Sequence, residues 1–155
     1  MNSQLPTPTN LKEQLTRDEG GDWEFPYDDA EGKRFLLGET LKGNLTIGIG
    51  INLSAGFSQI ERDMIFNYRL GIATKALASN WAWVLGLDDV RQGAMVNMIF
   101  NMGAAKFAGF HDFLTKLEAR DYSGAAAAML DSNWARQVGA RAVRLSEQIL
   151  TGTWQ

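Results

Sequence analysis

The chain has no cysteine, one histidine and only 3 prolines among 155 residues. Without cysteine there is no disulfide framework, no thiol nucleophile and no cysteine-built zinc site. His111 would have to anchor any histidine-based nucleophile or metal cluster alone, and a surface place beside Phe110 is the simpler expectation. Positive charge is not in excess either. The 15 Lys and Arg face 18 Asp and Glu, a net charge of −3, which argues against a protein held on nucleic acid or another anionic polymer by bulk charge. Arg136, Arg141 and Arg144, at helical spacing, are the best local basic candidate. No run approaches the ~18 apolar residues of a membrane span. Met1 to Asn10 is polar with Pro6 and Pro8, so neither a signal peptide nor an anchor is visible and secretory export is not expected.

What is present suffices for one substantial core. A chain of this length, 45% hydrophobic, buries roughly 70% of its unfolded surface. Leu11 to Leu15 reads as a helix that stops at Gly20-Gly21. Arg34 to Leu37 and Leu45 to Ile51 read as short strands punctuated by glycines. Ser58-Gln59-Ile60-Glu61 is a capping box that opens a helix with Ile60, Met64, Ile65 and Tyr68 on its apolar side. Asp88 or Asp89 caps a further segment through Val90, Ala94, Met98 and Phe100. Helical runs then continue to Leu150, and Trp81, Trp83, Trp134 and Trp154 read as core. The fold expected is α+β in a single domain, residues 1–155. A β-rich lobe covers about 20–57, and a larger helical lobe takes 1–19 and 58–155. The helix from Ser58 joins them, and a polymer substrate would lie in a cleft between the lobes.

Glu19, Asp29 and Thr46 supply an acid, a base and a hydroxyl within one N-terminal stretch. Glycosidic bond cleavage needs such a set: one carboxyl protonated for the leaving oxygen, the other ionised. Glu19 continues the helical line Leu11, Leu15, Glu19, at the inner end of an apolar stripe, whereas Asp29 sits in the polar turn Tyr27-Asp28-Asp29-Ala30-Glu31-Gly32. Different environments can separate the two roles. With 18 acidic residues many pairs share this separation, so spacing alone selects none of them. Gly48 and Gly50 either let a sugar approach the backbone closely or mark strand irregularity. Trp23, if exposed, would suit sugar stacking.

Resemblance selects among these. Thr16-Arg17-Asp18-Glu19-Gly20, Tyr27-Asp28-Asp29-Ala30-Glu31-Gly32 and Thr46-Ile47-Gly48-Ile49-Gly50 resemble the successive blocks of phage-type lysozymes, the endolysin muramidases of glycoside hydrolase family 24. Asn97 to Gly103, Ala108-Gly109-Phe110, Ser132-Asn133-Trp134, Arg141-Ala142 and Thr151 to Trp154 resemble the later blocks in the same order. The resemblance implies a lysozyme-like fold, a peptidoglycan substrate and no metal or organic cofactor. It places the general acid at Glu19, the second carboxylate at Asp29 and the water-holding hydroxyl at Thr46. Gly50, Asn52, Phe100 and Asn101 become substrate contacts and Arg141 a neighbour of the acid. Counting from Glu19 points to Asp28 for the second carboxylate, while the Tyr-x-Asp-x-x-Gly pattern points to Asp29. Lys33 to Asn44 reads as an insertion, and Ile51 stands where His or Arg is usual. The same resemblance implies a monomer that waits in the host cytoplasm for a holin and then acts on the wall in the periplasm.

Overall fold

The structure, a computed structural model, describes residues 8–155, and of residues 8–10 the backbone alone. The reading of the polar N-terminal segment lies outside the described residues. The chain divides between Arg62 and Asp63 into two compact units. The architecture is α+β, a small antiparallel sheet in the first unit and helices throughout the second.

In the first unit α1 (Pro8–Asp18) ends where Gly20 and Gly21 adopt φ of +78° and +131°, and the Gly21 N–H returns to the Thr16 carbonyl at 2.7 Å. Four strands follow: β1 (Trp23–Asp28), β2 (Lys33–Arg34), β3 (Leu45–Gly48) and β4 (Ile51–Asn52), in the order β2-β1-β3-β4. β1 was not expected, because Pro26 cannot donate to a ladder. It is tolerated at a register shift between the pairs Trp23↔Gly48 and Tyr27↔Thr46, and its carbonyl accepts the Phe35 N–H at 2.9 Å. The expected strand from Arg34 to Leu37 shrinks to two residues, since the Leu36 N–H turns to the Glu39 carboxylate at 2.8 Å. The run Leu45 to Ile51 breaks into a hairpin at Gly48 and Gly50, whose φ values of +61° and +66° only glycine adopts cheaply. The sheet unit includes α1, whereas the sequence grouping joined residues 1–19 to 58–155.

α2 (Gln59–Asn80) begins at the capping box read from the sequence. Ser58 Oγ donates to Glu61 at 2.6 Å and accepts the Glu61 N–H at 3.3 Å. Its expected apolar side is not buried: Ile60, Met64 and Tyr68 are 73, 66 and 72% exposed, and the helix buries only Ala73 and Leu77. The second unit continues through α3 (Asp89–Met102), α4 (Ala104–Phe107), α5 (His111–Glu118), α6 (Tyr122–Leu130), α7 (Asn133–Val138) and α8 (Ala140–Thr151). Asp88 caps α3 by accepting the Arg91 N–H at 2.9 Å, and Ser132 caps α7 through Ala135. The core is Met95 and Met98 of α3, Phe107, Phe113 and Leu117, Met129, and Leu145 and Ile149 of α8. Each such side chain contributes about 1.5–3 kcal/mol on burial. Trp134 joins this core, but Trp154 is exposed, against expectation. His111 is exposed at the start of α5.

Candidate active site

The sheet unit presents a hollow of about 480 Å³ whose lining includes Glu19, Asp29, Thr46, Gly50 and Asn52. Five residues singled out from the sequence thus meet in one place. Each is delivered by a different feature: Glu19 by the end of α1, Asp29 by the turn after β1, Thr46 by β3, Gly50 by the hairpin and Asn52 by β4.

The two neighbouring aspartates have opposite environments. Asp28 is 1% exposed and its carboxylate accepts three backbone N–H groups, from Ala30 at 3.0 Å, Lys42 at 2.6 Å and Gly43 at 2.9 Å. The Lys42 and Gly43 bonds anchor the long connection between β2 and β3 onto the end of β1. Asp29 is exposed and faces the hollow. Its two carboxylate oxygens accept the Asn44 N–H at 2.6 Å and the Asn44 amide Nδ2 at 3.0 Å. Both bonds, the backbone one first, hold its carboxyl below the usual carboxylate range, so the group is ionised at neutral pH. Asp28 is the last residue of β1 and is buried on its backbone N–H partners, whereas Asp29 opens the turn that follows and lines the hollow.

Thr46 is buried, and its hydroxyl donates to the Asn44 carbonyl at 3.3 Å. Gly50 is a position where backbone and carboxylate meet closely, since a Cβ there would strike the Glu19 carboxylate. The sequence leaves open whether this glycine admits a sugar close to its backbone or marks strand irregularity. In the structure the approaching group is the Glu19 side chain. Glu19 itself is exposed, as are Leu11 and Leu15, so the apolar stripe does not bury it. Asn52 Oδ1 accepts the Ser54 N–H at 2.8 Å, which leaves its amide N–H groups for other partners. Trp23 is half-buried, stacked on Tyr27 at 5.1 Å, with its indole N–H on the Gly20 carbonyl at 3.3 Å. Next along the chain to Gly32, which lines the hollow, Glu31 bonds Lys33 at 2.8 Å and also Lys42, and these two ammonium groups pull its carboxyl down to about 2.

The remaining candidates lie in the second unit. Asn101 accepts the Trp134 indole N–H at 2.8 Å and lines a hollow of about 600 Å³. That hollow is larger than the one in the sheet unit, but Asp112 is its only carboxylate, so it offers no acid and base pair. Phe100 does not share it; its ring packs on Phe66 at 5.7 Å. Arg141 clamps Asn97, its Nε and Nη2 reaching Oδ1 at 2.8 and 2.6 Å. Among the described residues no three His, Asp or Glu side chains are grouped to hold a metal ion, and no helix is long and apolar enough to cross a membrane. Sequence reasoning missed Asn44 and Gly43. The signal available was the Lys42-Gly43-Asn44 turn just before Leu45-Thr46.

Comparison with known proteins adds an independent line. The phage lysozyme family model matches residues 28–147, a span that takes in Asp29 and Thr46 but begins after Glu19. A probable T4-type lysozyme 1 of Dictyostelium discoideum is 33% identical over 96 residues, 60% of this chain and 56% of that protein. A probable T4-type lysozyme 2 of the same organism is 26% identical over 165 aligned positions, 94% of this chain and 96% of the relative. The pre-baseplate central spike protein Gp5 of Enterobacteria phage T4 is 44% identical over 62 residues, 40% of this chain and 11% of its own length. The chain therefore matches little more than half of the first of these relatives and nearly all of the second.

Proposed function

The chain belongs to the phage lysozyme family, and on that premise we propose that it hydrolyses the β-1,4 bond between N-acetylmuramic acid and N-acetylglucosamine in bacterial peptidoglycan. The observation that carries this reading is the convergence of Glu19, Asp29 and Thr46 on one hollow. Glu19, protonated, gives its proton to the glycosidic oxygen as the bond from that oxygen to the anomeric carbon breaks. A water held by Asp29 and Thr46 attacks the anomeric carbon from the opposite face and passes a proton to Asp29, which inverts the configuration. Within the sheet unit Gly50 and Asn52, which line the same hollow, contact the sugar chain. Neither a metal nor an organic cofactor enters this scheme.

The biological setting follows the same family reading. The protein serves phage-mediated host lysis, accumulating as a monomer in the host cytoplasm until a holin opens the inner membrane and then cutting the wall from the periplasm. Expressed alone in a Gram-negative host, it should leave cells intact until chloroform permeabilises the inner membrane.

Mass spectrometry of muropeptides released from purified sacculi tests the chemistry. Reducing N-acetylmuramic acid ends are the expected products. Anhydromuramic ends would show a lytic transglycosylase, which needs no Asp29, and release of nothing would leave a wall-binding module. Proton NMR of the first anomer formed then separates inversion from retention.

A further inference from the structure

We propose that Asn44 is the positioning residue of the water-activating pair, fixing Asp29 and Thr46 together through its backbone N–H, its side-chain amide and its carbonyl. The proposal rests on the assignment of Asp29 and Thr46 to water activation made above. Asp28 pairs with Leu45 across β1 and β3, so Asn44 stands opposite Asp29 in the next register position. Half of the ladder continues there: the Asp29 N–H donates to the Asn44 carbonyl at 3.1 Å. In the other half the side chain replaces the main chain. The Asn44 N–H goes to Asp29 Oδ1 at 2.6 Å and Asn44 Nδ2 to Oδ2 at 3.0 Å. Both carboxylate oxygens are thereby held, which fixes the plane of the group. Each oxygen retains further acceptor capacity, and Asp29 lines the hollow.

The same residue sets the polarity of Thr46. Its carbonyl accepts the Thr46 hydroxyl at 3.3 Å, so the only proton of that hydroxyl is committed and Oγ1 can meet a further partner only as an acceptor. A water between the two groups then donates one proton to Thr46 and the other to Asp29. Its lone pairs are left free to attack carbon, the orientation that hydrolysis requires.

Asn44 is brought to this place by the connection between β2 and β3. Asp28 grips the N–H groups of Lys42 and Gly43, and Gly43 lies so close that a Cβ would strike the Asp29 carboxylate and Ala30. The segment from Lys33 to Asn44 thus ends in a residue that touches both partners of the pair.

The test combines Asn44→Ala and Asn44→Asp with a direct titration of the Asp29 carboxyl carbon by NMR. Asn44 is exposed, so both variants should keep the wild-type Tm. Asn44→Ala removes the side-chain bond and spares the backbone one. It should raise the Asp29 titration, shift the acid limb of kcat/KM upward by the same amount, and lower kcat about tenfold with KM unchanged. Asn44→Asp puts a second carboxylate against Asp29 and should exaggerate both shifts. An Asp29 titration unmoved in both variants, or an acid limb that fails to follow it, would overturn the proposal. If Asp29→Ala itself retained full activity while the Asn44 variants moved the titration, the water-activating assignment would be the part that is wrong.

Discussion

Glu19 and Asp29 are both exposed carboxyl groups on one hollow, and what separates them is what each touches. Asp29 is hydrogen-bonded at both oxygens, whereas Glu19 lies against the bare backbone of Gly50. Replacing Glu19 by Gln keeps the shape and removes the carboxyl proposed as proton donor. The folded protein should lose activity by a factor of about 10²–10⁴, the usual worth of general acid catalysis, and cleavage within threefold of wild type would reject the role. Asp28 and Asp29 should separate by stability. Asp28→Ala strands three N–H groups in a buried place and should cost about 3 kcal/mol, with a matching fall in Tm. Asp29→Ala should leave Tm almost unchanged and abolish turnover. Equal melting of the two variants would mean that Asp28 does not anchor the loop. Sequence pattern alone distinguished these neighbours only through Tyr-x-Asp-x-x-Gly. The physical reason is that β1 ends at Asp28 and Asp29 already belongs to the turn, and it was not legible because β1 carries Pro26 and did not read as a strand.

At the scale of elements, two connections hold shape by polar contacts. The loop between β2 and β3 is tied down by Glu31 with Lys33 and Lys42, and Lys33 also lies 3.9 Å from Glu39. Glu31 titrates at about 2 in the folded chain, below its unfolded value of about 4.3. Its stabilising contribution is therefore fully present above that unfolded value and is lost as pH falls toward about 2. The difference in Tm between wild type and Glu31→Gln should be constant from pH 7 to about pH 5, shrink below that, and be weakened by salt at every pH because the pair is exposed. A difference that persisted unchanged at about pH 2 would contradict the pairing. In the helical unit Arg91 closes the end of α8. It donates to the carbonyls of Ile149 at 2.7 Å and Leu150 at 3.1 Å, and lies 3.7 Å over the Tyr122 ring. Arg91→Ala should cost about 3 kcal/mol, read as a lower denaturant midpoint with an unchanged slope. Elements opened by local chemistry, such as the Ser58-Glu61 box and the Asp88 cap, were legible in the sequence. Arg91 was not, because its partners lie 58 and 59 residues away along the chain.

At the scale of the whole molecule, burial is unequal. Among the described residues the sheet unit buries only Tyr27, Asp28 and Thr46, while the extended apolar cluster runs from Ala73 to Ile149. Local stability follows buried apolar contact, so amide hydrogen exchange should be slowest in α3, α5, α6 and α8 and markedly faster in the strands. Equal protection in both units would refute this. The α+β class and the helical content could be read from periodicity, and the sequence blocks singled out Glu19, Asp29 and Thr46, which line one hollow. Periodicity could not show that the apolar residues of α1 and of the first turns of α2 are exposed, because it reports which residues share a face and not what covers that face. The unequal burial also bears on engineering for heat resistance. Ellipticity is dominated by helices, so substitutions that tighten the Met95, Phe113 and Ile149 cluster will raise the melting point recorded that way without strengthening the Asp28, Gly43 and Asn44 bonds that shape the site. Heat-tolerant variants should instead be selected on residual cleavage after heating, and the useful substitutions sought in the β2 to β3 connection.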